Sequence, residues 1–220
     1  RAAAEAGASG AGKLRLLCLH GHAQSASRFK GKIAAVCKES RALADFAFVD
    51  GPFRVPPCEH SVEHGLGEAF TWLDVGQVGE GRKGTWTHYA DVGQTFDFIL
   101  RQECDGVVAF SLSSAVLAAL LCHPTEGAPL RARLRFAAFF SGFAPEDPEL
   151  QGWIEEAGVI SDLPTFHCIG SQDEEIAADR SDALAARYAN AVVYRHDGGH
   201  VVPAAVRKDF KSFLQGLAAQ

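Results

Sequence analysis

Six short apolar runs recur along this chain, separated by polar stretches with helical spacing, and that alternation constrains the fold more than any other feature. The runs are LRLLCLH (14–20), ADFAFVDG (44–51), DGVVAFS (105–111), LRFAAFFSGF (134–143), LPTFHCIG (163–170) and AVVYRHDG (191–198). Nearly continuous apolar strands are buried on both faces, as in a mostly parallel sheet covered by helices. Helical spacing is read across 25–40, in SAVLAALLCH (114–123), in 178–189 and across 203–219, where Pro203 suits a first helical position. The expectation is one α/β domain over 13–220, behind a flexible Ala/Gly/Ser leader or linker at 1–12. Residues 52–88, rich in Pro, Gly and His, break the pattern and read as a lid-like insertion. Trp72 and Trp86 suit such a lid, because aromatic rings favour burial over a pocket.

Composition narrows the partners. Of the 220 residues, 47% are apolar, and the formal net charge of −6 argues against nucleic acid and anionic membranes. No apolar run approaches the roughly 20 residues that span a bilayer. Cys18, Cys37, Cys58, Cys104, Cys122 and Cys168 form no C-x-x-C, and most lie inside apolar runs. They read as buried free thiols in a reduced, cytoplasmic protein rather than as a disulfide framework.

In an open α/β sheet, ligands gather at the carboxyl ends of the strands. Taken in order, those ends carry HGHAQS after the first run, Ser111 after the third, SQDEE after the fifth and GGHVVP after the sixth. Serine, acid, histidine is the chain order of α/β-hydrolases. Ser111 is the candidate nucleophile, on a tight turn whose flanking positions carry the small residues Ala109 and Ser113. Taken alone, it equally suits a helix cap. Asp173 is the candidate acid, with Glu174 and Glu175 as rivals, and His200 the candidate base. The oxyanion donors expected are the backbone N–H groups of Leu112 and of His22, with Ala23 next. Phe29, Trp72, Trp86, Phe143 and Val201 are pocket candidates. Cys58, His60 and His64 make a poor zinc set without a second ligand pair, and GEGRKG (79–84) lacks the phosphate-loop pattern. No metal and no cofactor are expected.

These segments together resemble the FSH family of serine hydrolases. The resemblance rests on LRLLCLHGHAQSASRFKGK, FVDGPF, DGVVAFSLSSAVLAALL, FFSGFAP, PTFHCIGSQDE and, most specifically, GGHVVPA. It implies an α/β-hydrolase fold with the triad at Ser111, Asp173 and His200. The family elbow usually reads Gly-Phe-Ser-Gln-Gly, whereas this chain has Ala109, Phe110, Ser111, Leu112 and Ser113.

The function expected is cleavage of small-molecule carboxylic esters, with alkyl or acyl chains, through an acyl-enzyme. Thioester cleavage uses the same machinery. A non-catalytic relative that binds a ligand in the old pocket is the competing class, motivated by the altered elbow. A transferase would need an acceptor other than water.

Overall fold

The computed structural model describes residues 12–56, 67–74 and 88–218. All six apolar runs form strands, and two short strands add to them: β1 (Leu14–Leu19), β2 (Ala44–Val49), β3 (Phe53–Val55), β4 (Ala69–Thr71), β5 (Gly106–Phe110), β6 (Phe136–Phe140), β7 (Thr165–Gly170) and β8 (Ala191–His196). Six of them make one sheet in the order β2-β1-β5-β6-β7-β8, with every pairing parallel. β3 and β4 form a separate antiparallel ribbon within the 52–88 region.

The helices are α1 (Ala26–Lys32), α2 (Ala34–Ser40), α3 (Val92–Leu100), α4 (Leu112–Leu121), α5 (Gly127–Arg133), α6 (Pro148–Ala157), α7 (Ala178–Ala185) and α8 (Arg207–Ala218). The single helix expected over 25–40 is two, broken at Ile33, which caps the first through bonds to the Gly31 and Phe29 carbonyls. Likewise 203–219 opens with a 3₁₀ turn (Ala204–Val206), and Pro203 precedes it rather than entering a helix.

Strand side chains alternate between two packed layers, as the two-residue period of a strand requires. Leu17, Leu19, Val107, Ala109, Ala137 and Phe139 face a core completed by residues of α3, α4, α6 and α7. Leu16, Cys18, Val108, Phe110, Ala138 and Phe140 face the other, where α1, α2 and α8 supply Phe29, Val36 and Phe210. α4 is buried on every side, which explains why its sequence, LSSAVLAALL, carries no charged residue. The cysteines at 18, 37, 104, 122 and 168 are free, and all but Cys37 are buried. Among the described residues, no helix is long and apolar enough to cross a membrane. Cys58, His60, His64, the GEGRKG loop and Trp86 lie outside the described residues.

Candidate active site

β5 ends at Phe110 and α4 begins at Leu112, so a single residue must reverse the chain. Ser111 does so at φ 57 and ψ −123, a backbone state that a side-chain-bearing residue rarely adopts. Such strain costs about 1–3 kcal/mol and survives only where the surroundings over-determine it. Here Ser111 N–H donates to the Phe140 carbonyl at 2.9 Å, and the Ser111 carbonyl accepts from Ser114 N–H at 2.8 Å. The Ser113 hydroxyl adds a third restraint: it accepts from Phe110 N–H at 3.0 Å and lies 2.9 Å from the Leu19 carbonyl. Ala109 and Ser113 are both wholly buried, so the small residues at the two usual glycine positions fit the turn.

His200 reaches Ser111 from the loop after β8. Its Nε2 lies 2.9 Å from Ser111 Oγ, and its Nδ1 lies 2.8 Å from Asp173 Oδ2. A carboxylate only accepts, so Nδ1 carries the proton and Nε2 is left to accept the Ser111 hydroxyl hydrogen. Gly170 makes this loop possible: a Cβ there would lie 2.6 Å from the Gly198 carbonyl oxygen. Asp173 Oδ1 is separately engaged, accepting from Glu175 N–H at 3.0 Å and Ile176 N–H at 2.9 Å. Burial disfavours the ionised carboxylate, but the His200 bond, the Ile176 N–H, the attraction of the His200 ring when it is protonated, and Ser141 outweigh it. The Asp173 pKa therefore falls below the ordinary carboxylate value. Ser141 is buried, at the end of β6, with a positive φ of 46. It was legible only as a polar residue closing an apolar run at the carboxyl edge.

The loop after β1 lies against the elbow, since a Cβ at Gly21 would meet the Phe110 ring at 3.0 Å. Leu112 is the first residue of α4, where a helix leaves its N–H without an intrahelical acceptor. Its side chain is wholly buried in the core. The apolar residue at this elbow position thus packs inward. His22 Nδ1 lies 2.9 Å from Thr71 Oγ1, and Ala23 holds a positive φ of 50. Burial, with a smaller effect from His20, lowers the His22 pKa and favours the neutral ring.

The remaining pocket candidates are dispersed. Phe29 is wholly buried, stacked at 5.9 Å on Phe110. Trp72 is also wholly buried, and its Nε1–H donates to the His20 carbonyl at 2.6 Å. Phe143 is buried beneath the Arg180 guanidinium, 4.5 Å from the ring centroid. All three rings are packed inside the described residues, Phe29 from α1, Trp72 just after β4 and Phe143 just after β6. Val201 is 47% exposed beside His200. Glu175, one of the rival acids, contributes its backbone N–H to Asp173.

The chain matches the family described as Serine hydrolase (FSH1) over residues 9–211. It is 31% identical over 218 residues to esterase CG5412 of Drosophila melanogaster, spanning 92% of this chain and 74% of that protein. It is 32% identical over 235 residues to esterase OVCA2 of Bos taurus, spanning 93% of this chain and 97% of that one. The crystal structure of a carboxylesterase from Mesorhizobium loti aligns with a TM-score of 0.63 at 15% identity, over 94% of this chain and 90% of that one. That likeness is one of fold, and the fold is that of the α/β-hydrolases.

Proposed function

The chain belongs to the FSH1 serine hydrolase family, and from that premise we propose that it cleaves small-molecule carboxylic esters with Ser111 as nucleophile, His200 as base and Asp173 as the acid that orients it. The observation that carries this reading is the unbroken line of hydrogen bonds, 2.9 Å from Ser111 Oγ to His200 Nε2 and 2.8 Å from His200 Nδ1 to Asp173 Oδ2.

The steps follow from that line. Ser111 Oγ attacks the ester carbonyl carbon while its proton passes to His200 Nε2. The charge that develops on the carbonyl oxygen is met by the N–H groups of His22 and Leu112. Asp173 stabilises the imidazolium that forms. Collapse breaks the bond to the alcohol oxygen, which leaves with the proton from Nε2. Water then gives a proton to Nε2 and attacks the acyl carbon, and the second collapse frees the acid and returns the proton to Ser111 Oγ. A thioester is cleaved by the same steps with sulfur as the leaving atom. In this reading the β3–β4 ribbon stands beside the site, consistent with the hold of β4 on the loop after β1 through Gln24 and Phe70.

The test is hydrolysis of p-nitrophenyl esters from acetate to long acyl chains, with matched thioesters, by the native protein beside Ser111→Ala. Turnover and fluorophosphonate labelling that vanish together in the folded variant support the reading. A native protein that neither turns over nor labels overturns it in favour of ligand binding.

A further inference from the structure

His20 ends the first apolar run, takes no part in the Ser111–His200–Asp173 line, and is wholly buried. Both of its ring nitrogens are engaged. Gly51 N–H donates to Nε2 at 3.0 Å, so that nitrogen carries no proton. The proton is therefore on Nδ1, which donates to the Gly21 carbonyl at 2.7 Å. The ring is held in turn: it packs 5.0 Å from Trp72, whose Nε1–H donates to the His20 carbonyl at 2.6 Å. The Trp72 carbonyl accepts the Thr95 hydroxyl at 2.7 Å. Gly51 can approach only because it has no Cβ, which would collide with the Thr71 carbonyl.

A trans peptide group is planar, with its C=O and N–H pointing in opposite directions. Fixing the Gly21 oxygen thus fixes the direction of the His22 N–H. Glycine at position 21 makes rotation of this peptide cheap, so the orientation needs an external restraint. The geometry points to His20 as a positioning residue: its Nδ1–H holds the Gly21–His22 peptide in the orientation that an oxyanion donor at His22 requires. This inference rests on the reading of the His22 N–H as one of the two donors. On the far side of the loop, Gln24 pairs with Phe70 and His22 with Thr71. Of the three peptides between β1 and those anchors, the His20 ring governs the last, Gly21–His22, while Trp72 holds the carbonyl of the one before it.

Two isosteres separate the two bonds of the ring. His20→Asn places an amide N–H near the position of Nδ1 and keeps the Gly21 oxygen engaged. His20→Gln reaches the position of Nε2, accepts from Gly51 and leaves the Gly21 oxygen unheld. The readouts are kcat and KM on p-nitrophenyl butyrate, the affinity of an alkyl trifluoromethyl ketone whose hemiketal oxyanion fills the same hole, and thermal melting as the check on folding. His20→Asn is expected within about 3-fold of the native kcat. His20→Gln is expected to lose about 10- to 100-fold in kcat, with KM within about 2-fold and inhibitor affinity falling by the same factor as kcat. Native kcat and inhibitor affinity in His20→Gln, or equal losses in both variants, would overturn the inference. Should His20→Gln not fold, His20→Asn decides: near-native values support the role, and a ten-fold loss refutes it. Ser111→Ala keeps the two failures apart. If it retains turnover, the serine mechanism falls; if it is silent while His20→Gln is fully active, only the role of His20 falls.

Discussion

The Ser113 hydroxyl joins Phe110 N–H at 3.0 Å to within 2.9 Å of the Leu19 carbonyl, tying the ends of β5 and β1 together beneath the nucleophile turn. A glycine at this position could not make that tie. Ser113→Ala is expected to cost about 1–2 kcal/mol of stability, read as a lower urea midpoint at unchanged m-value. Ester turnover should fall severalfold in the same variant, because the turn that aims Ser111 loses a restraint.

Ser111 stores strain that its replacement releases. Ser111→Gly removes the Cβ from a residue at φ 57, so the variant should be inactive yet at least as stable as the native protein, with a gain of up to about 1 kcal/mol. Ser111→Ala keeps the Cβ and should not share that gain. Calorimetric melting of the two variants side by side checks the contrast.

Asp173→Asn tests the orientation of the base. Oδ1 can still accept from Glu175 and Ile176, so the fold should be retained. The amide that faces His200 Nδ1 favours the wrong tautomer, and kcat should fall by about 10³- to 10⁴-fold with little change in KM. Steady-state kinetics on the preferred p-nitrophenyl ester read this directly.

Acid should destabilise the protein through His167. This ring is buried between Phe139 and Tyr188, and burial pushes its pKa down to about 3. The unfolded chain takes up that proton near pH 6.5 and the folded chain does not, so stability is complete above that pH. It should fall by about 2–3 kcal/mol by pH 4.5 and level off near the folded pKa. Urea unfolding at a series of pH values checks the slope, and His167→Phe should reduce it.

The six strands of the main sheet were legible because each is an apolar run, and the carboxyl-edge rule then brought Ser111, Asp173 and His200 to one end of that sheet; β3 and β4, three residues each, were not. The break at Ile33 was not legible, since helical spacing continues across it and only the carbonyls it caps mark the end of α1. α5 and α6 escaped notice as short segments with Pro129 and Pro148 inside or at their starts. Phe29 and Trp72 are hidden, as their type suggests, but sequence shows that a ring is hidden and not what hides it. His20 was passed over for a different reason. Its role depends on Gly51, 31 residues away, and on a peptide orientation that no residue pattern encodes.

Ser111 and His200 are separated by 89 positions, with β6, β7 and β8 threaded between them. During synthesis, therefore, an emerging chain can form the turn at Ser111 and present Asp173 while the histidine is still untranslated. Until the last strand docks at the sheet edge, the serine has no group to take its proton. In the proposed mechanism, nucleophilicity thus arrives only with the docking of β8, so a half-made chain would carry no reactive hydroxyl among the nascent proteins around it.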